Sequence, residues 1–294
     1  MGDRDLLYAL RNNFHLGAYQ AAIGEANDLQ HDDLGERENV ERDIFMYRAY
    51  IEMGKPEEAL SGINDDAPLA LQAVKGLARL RTDPDAKEEV VASIAEWLSD
   101  PAYSSNLMLS ELAGEVFCAA EKYEDALKCC SSGGSLELLA IGVHVALKME
   151  RADLAKRLAD AMSAKDDDAP LTQLAAAWVS VALGGDHVQE AQYIYQELGD
   201  RFNWTPKLLN GSACTLMIMG AFPEAEKQLM EALAKDANDG DTLANLAVCN
   251  LHLGRAPAAA KYLAQLKAQG PTHPVIAKLG SLEDKFQHAA AQFI

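Results

Sequence analysis

Ala191, Ala225 and Ala259 stand 34 residues apart, and Gly220 and Gly254 share that period. A period of this length belongs to a pair of antiparallel helices repeated along the chain. Such a unit cannot bury its apolar face alone, so it stacks on its neighbours and forms a solenoid rather than one globular core. The period also bears on function, because repeat solenoids of this kind present surfaces to other proteins and rarely enclose catalytic pockets.

Alignment on Gly220 gives the register. Leu209, Ala213, Leu216, Gly220, Phe222, Ala225, Leu229 and Ala232 are followed one period later by Leu243, Ala247, Asn250, Gly254, Ala256, Ala259, Leu263 and Leu266, then by Pro271. Small residues let two helices approach to roughly 8–10 Å. Glycine just past the first helix accepts the left-handed backbone of a C-cap, and Pro271 falls where the second helix must stop. This is the pattern of the tetratricopeptide repeat. Earlier units are looser, with Ala22, Ala59, Ala126 and Ala155 as the equivalent small residues and a unit over 69–99 whose second helix opens at Asp83-Pro84. The expected fold is all-α: a tetratricopeptide-like solenoid of about eight helix pairs and a C-terminal capping helix. The expected organisation is one domain over 1–294, with irregular repeats over 3–165, regular repeats over 171–272 and the cap over 273–293.

Composition agrees, since aromatic residues are only 6 % and β-branched runs are scarce, so little asks for a sheet. The net charge of −19 argues against nucleic acid or an anionic membrane surface as a direct partner, because phosphate neutralisation needs clustered Lys and Arg. No apolar stretch reaches membrane-spanning length, so no direct membrane insertion is expected. The charged start Met1-Gly2-Asp3-Arg4-Asp5 reads as no signal peptide. The five cysteines, Cys118, Cys129, Cys130, Cys214 and Cys249, lack a Cys-x-x-Cys pair and read as reduced thiols of a cytosolic protein. The histidines, among them His31, show no i, i+4 pair, and the acidic run from Asp236 to Asp241 lacks the closing glutamate of a calcium loop. No catalytic residue, cofactor site or metal site is expected.

That leaves the surfaces. In this repeat, positions 2, 5, 9 and 12 of each first helix face the concave side. They read Arg4, Leu7, Arg11 and Phe14 in the first unit and Glu41, Ile44, Arg48 and Ile51 in the second. The last two units give Lys207, Asn210, Cys214 and Met217, then Asp241, Ala244, Val248 and Leu251. Apolar groups on an open face mark an interaction site. The candidate partner-binding residues are therefore Leu7, Phe14, Ile44, Ile51, Met217, Val248 and Leu251; the alternative is that a tightly wound superhelix buries these side chains against its own turns. The Lys-Asn clamp with which chaperone-docking members hold a peptide carboxylate is absent, and Glu111 and Glu115 would repel an anionic peptide.

The phrases from Leu10 to Ile23, Ser132 to Leu138, Leu171 to Trp178 and Asp241 to Asn250 resemble the epsilon subunit of coatomer, in order and over the whole length. The resemblance implies a non-catalytic structural subunit of the COPI vesicle coat. It implies binding to and stabilisation of the C-terminal region of the coatomer alpha subunit, as a heterodimer within the larger coat. It also implies a cytoplasmic protein, peripheral on Golgi membranes and COPI-coated vesicles, serving Golgi-to-ER retrograde and intra-Golgi transport. The alternative function is a free adaptor or co-chaperone that samples short peptides.

Overall fold

The computed structural model describes residues 5–29, 33–103, 105–270 and 273–292. The readings placed on Met1 to Arg4, on His31, on Pro271 as a helix stop and on the end of the last helix at Phe293 lie outside the described residues. Among the described residues there are seventeen α-helices and no strand. The chain forms two compact units divided at Gly184. The first contains α1 (Tyr8–His15), α2 (Tyr19–Asp28), α3 (Glu36–Glu52), α4 (Pro56–Gly62), α5 (Leu69–Thr82), α6 (Lys87–Ser99), α7 (Leu107–Ala119), α8 (Tyr123–Cys130), α9 (Leu136–Lys148), α10 (Ala152–Ser163) and α11 (Pro170–Leu183). The second contains α12 (His187–Phe202), α13 (Pro206–Ile218), α14 (Phe222–Lys235), α15 (Gly240–His252), α16 (Ala256–Ala268) and α17 (Pro274–Ala290).

The repeat register is visible in the backbone. Gly17, Gly54, Gly220 and Gly254 follow the first helices of their pairs with φ of 82°, 71°, 81° and 73°. After Gly220 the Ala221 N–H donates to the Leu216 carbonyl at 2.9 Å, closing the helix end as the left-handed C-cap requires. The equivalent position after α7 and α9 is held by Glu121 and Glu150, at φ of 60° and 58°. A non-glycine residue there costs on the order of 1 kcal/mol. At the other end of the first helices a capping side chain recurs. Asn106, Ser135, Thr205 and Asp239 each accept a hydrogen bond from the backbone N–H three residues on, at 2.9–3.2 Å.

The small residues sit where the helices cross. Ala22, Ala59, Ala126, Ala155, Ala191 and Ala225 are fully buried, and Ala259 is nearly so. The third pair exchanges the roles. Val90 of α6 occupies the crossing, and Gly76 of α5 makes room for it, since a Cβ there would lie 3.1 Å from the Val90 Cγ1. In the second unit Tyr195 of α12 fills the space over Gly211 of α13. Polar bonds fix the register between helices: the Gln192 amide bonds Ser212 and Thr215, joining α12 to α13.

Candidate functional site

The four amino-terminal candidates do not line an open face. Leu7, Phe14, Ile44 and Ile51 are buried, which corrects the expectation of exposure at these positions. Leu7 and Phe14 belong to an apolar cluster with Leu10, Ile23 and Phe45, and Ile44 and Ile51 to one with Ile63, Leu71 and Val74. The physical reason is packing against neighbouring helices: Leu7 and Phe14 are covered by α2 and α3, and Ile44 and Ile51 by α4 and α5. Helix α1 packs on α2, α3 and also α11, and His15 Nε2 lies 3.5 Å from Glu137 Oε1 of α9. These neighbours cover most of each apolar side chain, and Ile44 also borders the cavity described below. Phe14 stands edge-to-face with Phe45 at 5.3 Å, and the Arg48 guanidinium lies 4.5 Å over the Phe14 ring.

What remains inside the first unit is polar. Arg11 pairs with Asp5 at 2.7 Å and with Glu41 at 2.6 Å, and Arg48 with Glu115 at 2.8 Å. A cavity of about 320 Å³ lies among α1, α3, α7 and α9, lined by Glu41, Arg48, Glu111, Ser135 and Glu137 among others. The Ser135 hydroxyl donates to Glu111 Oε1 at 2.5 Å. Burial, with Glu137 and Glu41 nearby, raises the Glu111 carboxyl to about 7, against the opposing pull of Ser135 and Arg48. Burial pushes Glu137 upward too, but the hydrogen bond and charge of His15 outweigh it and hold that carboxyl below its ordinary value.

The second unit presents the open apolar face. Leu243, Leu246, Ala247 and Asn250 of α15 turn inward, which leaves Val248 and Leu251 43 % and 55 % exposed. Met217 is half-buried against Leu246 and Cys249, and its neighbour Ile218 is exposed. Asn210, which the register places in the groove, is instead structural: its amide donates to Thr242 Oγ1 at 2.7 Å and Asp239 Oδ2 at 3.0 Å, and Asn245 donates to Asn210 Oδ1 at 2.9 Å. This network ties α13 to α15. Sequence reasoning missed a larger feature. Helix α17 has no buried residue; Val275 and Ile276 pack on Leu243, Ala244 and Leu266, and beyond them Leu279, Leu282 and Phe286 are exposed, Phe286 at 68 %. Their i, i+3, i+7 spacing was visible in the sequence and is one helical stripe. Exposed apolar stripes of this kind mark protein contacts.

Among the described residues, no three His, Cys, Asp or Glu side chains gather as a metal site would need. Burial pushes the thiols of Cys129, Cys130 and Cys214 up to about 11, 12 and 11, opposite to the lowered value of a reactive cysteine. No helix among the described residues is long and apolar enough to cross a membrane.

Stacked helix pairs with an exposed apolar face define a tetratricopeptide-type helical-repeat protein. A tetratricopeptide repeat protein from Parabacteroides merdae has the same fold, with a TM-score of 0.61 over 82 % of this chain and 97 % of its own, at 16 % identity. A chain of the APC/C hetero-tetramer Cut9–Hcn1 matches with a TM-score of 0.63 over 93 % of this chain and 54 % of its own, at 13 % identity. Sequence comparison is more specific. The model of the family described as coatomer epsilon subunit matches residues 3–294. Coatomer subunit epsilon-1 of Arabidopsis thaliana is 43 % identical over 293 residues, covering 100 % of this chain and 99 % of that protein. Coatomer subunit epsilon-1 of Oryza sativa subsp. japonica is 44 % identical, covering 98 % of both chains, and coatomer subunit epsilon of Caenorhabditis elegans 32 %, with the same coverage. The chain belongs to the coatomer epsilon subunit family.

Proposed function

We propose that this chain is a non-catalytic architectural subunit of the COPI coat that binds and stabilises the C-terminal region of the coatomer alpha subunit. Its repeats over 1–294 serve together as one binding domain. Its place is cytoplasmic, peripheral on Golgi membranes and coated vesicles, where it supports Golgi-to-ER retrograde and intra-Golgi transport. Family membership supports the coat assignment. The observation that carries the binding role is the apolar surface of the second unit: Val248 and Leu251 are exposed on α15, with half-buried Met217 on α13, and Leu279, Leu282 and Phe286 are exposed on α17. Large apolar side chains left in water on rigid helices are what a permanent partner covers, and such an interface exceeds ~1,200 Å² in total. A free adaptor that samples peptides would instead be served by polar groups for main-chain and carboxylate contacts, and Cys214, Val248 and Leu251 hold those register positions here. Co-expression with the C-terminal region of the alpha subunit tests the reading. The expected outcome is copurification at fixed stoichiometry and a higher melting temperature for the complex, because a partner that binds only the folded state stabilises it. Recovery of the chain alone under these conditions would contradict it.

A further inference from the structure

We propose that the cavity among α1, α3, α7 and α9 receives one basic side chain, a guanidinium or ammonium carried by a bound protein segment, with the Glu111 carboxylate as its counter-ion. This rests on the reading of the chain as a partner-binding subunit.

The cavity is lined by one carboxylate from each of three helices, Glu41 of α3, Glu111 of α7 and Glu137 of α9, together with Arg11, Arg37 and Arg48. The cations facing them are largely committed. Arg11 is engaged by Asp5 and Glu41, Arg48 by Glu115, and His15 by Glu137. Arg37 stands exposed at the rim. Among the described residues Glu111 makes no ion pair, and the hydrogen bond it accepts comes from Ser135. A half-buried carboxylate without a bonded cation is costly, and burial raises this one to about 7 against the pull of Ser135 and the more distant charge of Arg48.

A cation delivered into the cavity would relieve that cost. The neutral carboxyl loses its proton to solvent, and the carboxylate pairs with the incoming ammonium or guanidinium, so one charge enters and one proton leaves. The volume, at the small end of ligand cavities, suits a side chain rather than a folded element. Phe45, which lines the cavity, already carries the Arg48 guanidinium 5.3 Å from its ring, so a planar cation packs against an aromatic side chain at this site.

Two measurements on the full chain test this. The first follows the Glu111 carboxyl by carbon-13 NMR as a function of pH, with and without a large excess of N-acetyl-arginine amide, and N-acetyl-glutamine amide as the neutral control. The arginine probe is expected to lower the apparent Glu111 pKa from about 7, and the glutamine probe to leave it unchanged. The second is calorimetric titration with the C-terminal region of the alpha subunit at pH 7 in buffers of different ionisation heat. Wild type is expected to release roughly half a proton per complex. Glu111→Gln should release none of it and bind more weakly by on the order of tenfold or more. Ser135→Ala, which keeps the carboxylate, should retain the release. If the alpha region binds but proton release is the same for wild type and Glu111→Gln, and the arginine probe leaves Glu111 unmoved, the inference fails while the proposed function stands. If the arginine probe acts and the alpha region does not bind, the assigned partner is wrong and the basic-side-chain site survives. If neither acts, both fail.

Discussion

Gly211→Ala sets two effects of opposite sign against each other. Gly211 lies inside α13, where alanine is favoured over glycine by about 1 kcal/mol. A Cβ at this position would stand 2.4 Å from Tyr195 Cε1 and 2.5 Å from its Cζ. Ordinary contact needs about 1 Å more, and Tyr195 is only 4 % exposed, so the ring has little room to retreat. Overpacking of a filled site costs about 1–3 kcal/mol, which exceeds the propensity gain. The net expectation is destabilisation by on the order of 1 kcal/mol. Gly24→Ala is the control, because Gly24 lies inside α2 with nothing within 4 Å of its added Cβ. There the same chemical change should stabilise by up to about 1 kcal/mol. Urea denaturation followed by far-ultraviolet circular dichroism measures both, with midpoints compared at constant slope. If Gly211→Ala unfolds at a higher urea concentration than wild type, Tyr195 does not pack over α13 as described.

Three other perturbations probe the packing, the backbone and the buried carboxyl in turn. Ala225→Leu, at a fully buried crossing against Ala213, Leu229, Leu246 and Cys249, should cost about 1–3 kcal/mol, whereas a change at exposed Lys227 should stay within about 0.5 kcal/mol; equal melting temperatures for the two would show a wrong register. Gly254→Ala at φ 73° should destabilise by about 1–2 kcal/mol, while Glu150→Gly at φ 58° should be neutral or stabilising, with denaturation midpoints as the readout. Glu111 has a folded pKa near 7, raised above its ordinary value, so the folded state binds the proton more tightly than the unfolded chain. Stability from this group is therefore present at low pH and lost as pH rises to about 7. Glu111→Gln should match wild type near pH 4 and exceed it at pH 8 by on the order of 1–3 kcal/mol, and a difference independent of pH would contradict this assignment.

Much of this molecule was legible in the sequence, and the exceptions have physical causes. The 34-residue spacing of Ala191, Ala225 and Ala259 located the crossings because packing admits only a small residue there. The third pair escaped that rule, since the small residue moved to Gly76 on the opposite helix. The loose units at α7 and α9 hid their C-caps because Glu121 and Glu150 adopt a backbone that glycine usually marks. Register alone misplaced the surface at Leu7, Phe14, Ile44 and Ile51. A template describes one helix pair, whereas Leu7 and Phe14 are buried against α2 and α3, and Ile44 and Ile51 against α4 and α5, as adjacent pairs stack. The stripe on α17 was readable as periodicity, but that pattern usually denotes a core face. Only the structure leaves Leu279, Leu282 and Phe286 uncovered.

The central claim, that the apolar face of the second unit holds the alpha subunit, is tested most directly by Val248→Asp with Leu251→Asp. Both side chains are exposed, so the double variant should keep the wild-type melting temperature of the isolated chain within about 4 °C. Titration against the C-terminal region of the alpha subunit should then show affinity lowered by on the order of a hundredfold, the effect of burying two unpaired carboxylates at the centre of a contact. A double variant that is folded and binds the alpha region as tightly as wild type would contradict the account and move the interface off this face.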